Sequence, residues 1–140
     1  MLNRSMPAGT ITPVLEYPDV RATVDWLCRA FGFQERLRIG VHRAQLAVGD
    51  GSIVVSELPP NAAHAARVGG SVMIRVEGVD AHRATALAAG AVTVGALSDY
   101  PYGERQYSAE DPWGHRWTFS ETIVDVDPAD WGGVLVPALD

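Results

Sequence analysis

Histidine, cysteine and carboxylate side chains are the groups in this sequence that could bind a metal or move a proton. The four histidines, His42, His64, His82 and His115, are far apart along the chain, and no two have the close spacing of a His-x-His metal motif. We therefore interpret them as surface or turn histidines. Cys28 is the single cysteine, so an internal disulfide and a multi-cysteine metal site are excluded. We assign it to core packing rather than to a catalytic thiol.

The elements that must position these groups follow the order βαβββ in the first half of the chain. Residues 11–17 read as a strand, and Asp19 is placed to cap a helix. Apolar residues then recur at helical spacing up to Gly32, which ends the helix. Three strands joined by tight turns follow, over residues 33–39, 41–48 and 52–58.

The same order of elements repeats in the second half, after a connector that ends at Gly70. A strand is predicted over 71–76 and a helix over 80–89, followed by strands over 91–94, 105–110 and 115–121. The run Asp111-Pro112-Trp113-Gly114 suits a type I turn between the last two strands. The sequence therefore predicts an α+β fold, with one βαβββ module over about 10–58 and a second over about 70–123, and a tail over 124–140. We expect one domain, with two curled mixed sheets around a shared cleft.

Composition and charge narrow the class of partner. Hydrophobic residues make up 47% of the 140 residues, which is enough for one compact unit. The net charge is −6, and the eleven basic residues are all Arg without a basic run, so we expect no nucleic-acid partner. The sequence has no membrane-spanning stretch and no signal-peptide pattern, and we expect a cytoplasmic protein that does not bind membranes.

Two stretches carry a resemblance to a known family. Residues 15–33 run from a strand through Asp19 to Phe31-Gly32-Phe33, and Tyr102-Gly103-Glu104-Arg105 precedes the run from Asp111 to Trp117. They resemble the first strand and helix, and the closing hairpin, of the glyoxalase/bleomycin resistance protein/dioxygenase superfamily, also called vicinal oxygen chelate. The resemblance covers roughly residues 10–123 and implies the same two-module fold and a homodimer.

The resemblance also implies where a metal would bind. Metal-using members of that superfamily place one ligand, usually His, on the first strand of each module and one, usually Glu, on the last. These positions fall here on Thr12 and Ser71, on Val54 or Val55, and on Thr118. Neutral hydroxyls and valine cannot form a tight transition-metal site, so we expect neither a metal nor another cofactor.

A mixture of aromatic and polar side chains is expected to line the cleft, and it suits a flat or amphipathic organic ligand. The candidate lining residues are Thr12, Glu16, His42, Gln45, Ser71, Met73, Arg75, Tyr102, Tyr107, Trp117 and Thr118. Trp26 and Phe31 are assigned instead to the core. Arg105 is assigned to an ion pair with Glu104 or Glu110, with contact to an anionic ligand as the alternative.

Three classes of function fit these patterns. The first is a metal-independent small-molecule binding protein that resembles the drug-sequestering bleomycin resistance members. The second is an enzyme, a glyoxalase-like lyase or isomerase or a dioxygenase, with an atypical metal site or with acid–base chemistry alone. The third is a dimerising module with an occluded cleft. We favour the first, and we expect the tail to pack on the body through Trp131 or on a partner chain.

Overall fold

The computed structural model describes residues 1–59 and 70–137, and their elements follow the order βαβββ twice. The first module contains β1 (Val14–Tyr17), α1 (Val20–Phe31), β2 (Gln34–Ile39), β3 (Arg43–Val48) and β4 (Gly51–Glu57). The second contains β5 (Ser71–Arg75), α2 (Val79–Ala88), β6 (Val92–Asp99), β7 (Glu104–Glu110) and β8 (Arg116–Thr122). A short 3-10 helix, Pro128–Trp131, follows in the tail.

Each module forms its own four-stranded mixed sheet. The strand orders are β1-β4-β3-β2 and β5-β8-β7-β6, with the first strand parallel to the last in both. The chain divides into two compact units, one with the first four strands and α1, the other with the last four strands, most of α2 and the tail. The predicted α+β fold of two βαβββ modules is thus confirmed, while their union in one domain stays a prediction.

Helix α1 begins and ends where the sequence predicts. The Asp19 carboxylate accepts a hydrogen bond from Ala22 N at 3.1 Å, and Gly32 adopts a left-handed conformation (φ 79°) at the other end. Trp26 and Phe31 are buried on the same helix and their rings meet edge to face at 5.0 Å. Their assignment to the core is confirmed.

The first sheet has a helix-covered face and an open face. Glu35 of β2 bonds Arg21 of α1, and Leu46 and Ile53 lie beside Glu35 on the next two strands, so α1 covers this face. Strand alternation places the neighbouring residues on the opposite side. We call that side the open face of the first sheet, and it carries Val14, Glu16, Leu37, Arg43, Gln45, Val54 and Ser56.

The second sheet has the same division. Helix α2 lies over Tyr107 and Phe119, because the His82 ring packs 4.3 Å from the Phe119 ring and its Nδ1 is 2.6 Å from the Tyr107 hydroxyl. The Glu121 carboxylate accepts hydrogen bonds from Gly78 N and Val79 N at the start of α2, and these lower the pKa of Glu121. The other side, the open face of the second sheet, is turned away from α2.

Several predicted strand boundaries need correction. Strand β1 begins at Val14 rather than at residue 11, and Val41 and His42 lie in the turn before β3. Strand β6 extends to Asp99 because an irregularity after Val94 lets it pair with β7 again.

No helix in residues 1–59 and 70–137 is long and apolar enough to cross a bilayer.

The interpretation of the histidines as surface or turn groups is correct for His42 in the β2–β3 turn and for His115 at the end of the β7–β8 turn, and it is wrong for His82 on α2. His115 is buried behind the β7–β8 turn, and His82 is half-buried against the second sheet. Both therefore belong to the packing of the second module. His64 lies outside the described residues.

Candidate functional site

The open face of the second sheet carries mainly polar side chains. Its three rows run across β5, β8 and β7 and are set by the strand register. The rows are Ser71, Arg116 and Glu110, then Met73, Thr118 and Ser108, then Arg75, Ser120 and Gln106. The helix-covered side of the same strands carries Trp117, Ile74, Phe119 and Tyr107, so the open face is the side with hydrogen-bonding groups.

A pair of hydroxyls stands at the centre of this face. Thr118 Oγ1 and Ser108 Oγ are 2.7 Å apart on directly opposed residues of β8 and β7. Both side chains are half-buried, so their remaining hydrogen-bonding capacity is within reach of a ligand. Met73, 63% exposed, lies beside Thr118 on β5 and adds an apolar contact surface.

A chain of hydrogen bonds extends the polar face toward the β6–β7 turn. The Tyr102 hydroxyl donates to Gln106 Oε1 at 3.3 Å, Gln106 Nε2 donates to Ser120 Oγ at 3.0 Å, and Ser120 Oγ donates to Glu104 Oε1 at 2.7 Å. Gln106 and Ser120 are buried, and each polar group of this chain has a partner. The chain fixes the position of the Tyr102 ring.

Three aromatic rings meet where this chain of bonds ends. The Tyr100 and Tyr102 rings are nearly parallel with centroids 5.4 Å apart, and the Trp131 ring meets Tyr102 edge-on at 5.4 Å. Tyr100 and Trp131 are 41% and 45% exposed, which leaves aromatic surface free for stacking. The contact of Trp131 with Tyr102 confirms that the tail packs on the body through Trp131.

Of the residues predicted for the cleft, four lie together on the open face of the second sheet. They are Ser71, Met73, Arg75 and Thr118. Tyr102 lies at the end of this face, in the turn before β7.

Tyr107 and Trp117 were expected on the open face, and this is wrong. Both are buried on the side that α2 covers. The Trp117 indole donates to the Asp111 carboxylate at 3.1 Å, and burial raises the pKa of Tyr107. These two aromatics are core residues.

The candidates from the first module lie around the other open face. Glu16 lies on it beside Ser56, while half-buried Thr12 precedes β1. Gln45 also lies on it but is buried beneath the N-terminal segment, since its Nε2 donates to Ser5 O at 2.9 Å. His42 is exposed in the β2–β3 turn rather than on a strand.

Two other interpretations concern residues outside the site. Arg105 is held by Asp99 at 2.6 Å and Asp80 at 3.2 Å, so the structural role is confirmed, although the expected partners were Glu104 and Glu110. These carboxylates raise the pKa of the Arg105 guanidinium. Cys28 is half-buried, and burial raises the pKa of its thiol, which is the opposite of what thiolate catalysis needs.

Comparison with known proteins identifies the family. The family model described as Glyoxalase/Bleomycin resistance protein/Dioxygenase superfamily matches residues 12–119. The chain belongs to this superfamily. The match spans both modules, and the recognised resemblance is confirmed.

Solved structures and curated relatives agree with this membership. TioX from Micromonospora sp. ML1 is 36% identical with a TM-score of 0.68, over 82% of this chain and 99% of TioX. The fosfomycin resistance protein FosX from Listeria monocytogenes is 15% identical with a TM-score of 0.65, over 83% of this chain and 94% of FosX, which is a likeness of fold alone. The uncharacterized protein Mb0911c from Mycobacterium bovis is 27% identical over 84% of this chain and 86% of its own.

The residues at the superfamily's metal positions do not fit a metal. Val54, rather than Val55, lies on the open face of the first sheet, opposite Val14, and valine has no donor atom. At the corresponding position in the second module, Thr118 bonds Ser108. Within residues 1–59 and 70–137, no three His, Cys, Asp or Glu side chains are grouped as a metal site requires.

Sequence reasoning missed four polar residues of the site, and alternation could have found them. Ser120 is two residues beyond Thr118, while Gln106 and Ser108 alternate along β7, so all must share one face of the sheet. Glu104 is two residues before Gln106 and bonds Ser120. These residues were not predicted because the sequence does not indicate which face of the second sheet α2 covers.

Proposed function

We propose that this protein binds a small organic molecule without a metal, on the open face of the second sheet. The observation that supports this proposal is the hydroxyl pair Thr118–Ser108, which stands where metal-using relatives place a carboxylate ligand. Hydroxyl groups donate and accept hydrogen bonds but are weak ligands for a transition metal. A site of this kind binds its ligand through hydrogen bonds and van der Waals contacts, and it does not coordinate the ligand to a metal ion.

The surrounding side chains indicate a flat or amphipathic ligand. The hydroxyls can bond its polar groups, Met73 offers an exposed apolar surface, and the Tyr100 and Trp131 rings offer stacking surfaces at the end of the face. The net charge of −6 favours ligands with a positive charge. Binding of this kind, without chemical change of the ligand, resembles that of the drug-sequestering bleomycin resistance members.

A homodimeric, cytoplasmic protein is part of the same proposal. The tail residues Val134, Leu135 and Val136 are apolar and at least 79% exposed, which supports a surface for a second chain. The oligomeric state in solution tests this part.

Isothermal titration with two probes tests the binding proposal, namely metal-free bleomycin, a cationic glycopeptide, and proflavine, a flat aromatic cation. We expect saturable heat with at least one probe. Thr118→Val should weaken that binding about threefold to tenfold, because one hydrogen-bonding group is lost. Thr93→Val is the matched control, since Thr93 lies in the same sheet beside Ala109 on the helix-covered side.

Two results would count against the proposal. One is the absence of heat with both probes at high micromolar concentration. The other is equal affinity of Thr118→Val and the unchanged protein, which would place the binding elsewhere.

A further inference from the structure

The N-terminal segment, residues 1–9, is held against the open face of the first sheet by two side chains. Arg36 Nη2 donates to Arg4 O at 3.1 Å, and Gln45 Nε2 donates to Ser5 O at 2.9 Å. Arg36 also donates to Gln45 Oε1, so the two side chains hold each other in position. Two consecutive backbone carbonyls are therefore recognised by a preformed pair of donors.

We propose that the open face of the first sheet is a binding site for an amide-bearing chain, such as a peptide in a turn conformation. The protein's own N-terminal segment, in which Met6 N donates to Asn3 O to close a turn, occupies this site. Arg36 and Gln45 contact backbone carbonyls rather than side chains, so they select for amide groups and not for a particular sequence. Buried Gln45 must have an acceptor for its amide N–H, from the segment or from a ligand, because an unpaired buried donor is costly.

The segment is attached weakly enough to be displaced. Of residues 1–9 only Pro7 is buried. A cavity of about 470 Å³ is lined by residues of the segment and by Arg36, so part of the segment's own surface is not packed against other atoms. A segment with so few buried contacts opens at a low free energy. A ligand with the same carbonyls and a better apolar fit would replace it, using the exposed side chains of Val14 and Ile39 at the edges of the sheet.

This proposal rests on contacts within the first unit and does not depend on the proposed site on the second sheet. The two open faces belong to different units of the chain. A failure of one proposal leaves the other standing.

The test uses the full chain and a fluorescent peptide with the sequence of residues 1–9 as the probe, with fluorescence anisotropy as the readout. In the unchanged protein the tethered segment competes with the probe. Pro7→Asp removes the buried anchor of the segment, and we expect it to tighten probe binding about tenfold. Ala8→Asp is the matched control, because Ala8 is the exposed neighbour and receives the same charge.

A second pair of variants tests the donors. Adding Gln45→Glu to Pro7→Asp replaces the amide N–H with a carboxylate oxygen that repels the carbonyl, and should weaken probe binding about fivefold. Gln34→Glu adds the same charge on the same face, beside Ala47 rather than at Gln45, and should weaken probe binding much less because no donor to the segment is lost.

Trypsin cleavage after Arg4 gives an independent readout in the same proteins. We expect cleavage to be faster in Pro7→Asp than in Ala8→Asp. Equal probe affinity in Pro7→Asp and the unchanged protein, or no effect of Gln45→Glu, would overturn the proposal. So would equal cleavage rates in the two aspartate variants.

Discussion

At the scale of the residue, Asp111 organises the turn that closes the second sheet. Its Oδ1 accepts hydrogen bonds from Trp113 N at 3.0 Å and His115 N at 3.1 Å, and its Oδ2 accepts from the Trp117 indole at 3.1 Å. The Asp-Pro-Trp-Gly run predicted the turn, and the bond from Gly114 N to Asp111 O confirms it. The bond to Trp117 was not predictable from turn chemistry, because it depends on which side of β8 faces the core.

Asp111→Asn tests this role of the carboxylate. The asparagine amide has one acceptor oxygen where the carboxylate has two. Its nitrogen would therefore face an N–H donor of Trp117 or of the turn, and at least one buried hydrogen bond would be lost. We expect the free energy of unfolding in urea to fall by about 1–3 kcal/mol. Asp50→Asn, in the exposed β3–β4 turn, is the control and should leave the midpoint almost unchanged. Equal midpoints for the two variants would contradict the role given to Asp111.

Glu35 of β2 pairs with Arg21 of α1 and with Arg38 of its own strand, and its ionisation should set part of the pH dependence of stability. Hydrogen bonds from Arg38 and Arg21 lower its pKa from 4.5 to about 2. A carboxyl with a lowered pKa in the folded state stabilises the protein above its unfolded pKa, and this contribution is lost as the pH falls from about 4.5 toward 2.

Glu35→Gln removes that contribution. The variant should be less stable than the unchanged protein at pH 7 in urea unfolding, and the difference should shrink as the pH falls through this window. Glu57→Gln, at the exposed end of β4, is the control and should show a smaller difference at neutral pH. A Glu35→Gln difference that stays constant with pH would contradict the assignment.

At the scale of the element, capping residues predicted both ends of α1, whereas alternation did not determine which face of each sheet is covered. Asp19 and Gly32 bound α1 as predicted, because caps act through local backbone bonds. Tyr107 and Trp117 were placed on the wrong side, since a period of two gives the alternation but does not identify the face that a helix will cover. Strand β6 was predicted too short because its Gly95 interrupts the pattern, although pairing resumes at Ser98.

The contact between the β6–β7 turn and the tail depends on a glycine. Gly103 has a positive φ of 84°, and its carbonyl accepts bonds from Ile123 N at 2.9 Å and Val124 N at 3.3 Å. A Cβ at this position would overlap the carbonyl oxygen of Val124. The close approach therefore requires glycine, and it places Trp131 near Tyr102.

Gly103→Ala is expected to displace the tail as well as to strain the turn. Gly49→Ala separates the two effects, because Gly49 has a positive φ of 58° and open space around its Cβ position. Both variants should lose about 1 kcal/mol or more from the positive φ. Gly103→Ala should lose more in urea unfolding and should shift the Trp fluorescence to longer wavelength. Equal losses without a spectral shift would show that the tail does not depend on this contact.

At the scale of the whole molecule, the order of elements and the closing motif identified the superfamily. The arrangement of the candidate site could be determined only from the structure. Two βαβββ modules could be predicted because their caps and turns are local signals, and the family match over residues 12–119 agrees with them. The sequence showed Thr12, Ser71, Thr118 and a valine at the positions where metal-using relatives have ligands. The strand register identifies that valine as Val54 rather than Val55. The Thr118–Ser108 pair depends on the pairing of β7 with β8, which sequence periodicity does not determine.

Elemental analysis of protein purified without a chelator is the most direct test of the central claim, a superfamily fold that binds its ligand without a metal. We predict substoichiometric zinc, nickel, manganese and iron per chain, since hydroxyls and valine replace the ligands at the family positions. Stoichiometric metal that is removed by a chelator would contradict the claim and would favour a lyase, isomerase or dioxygenase.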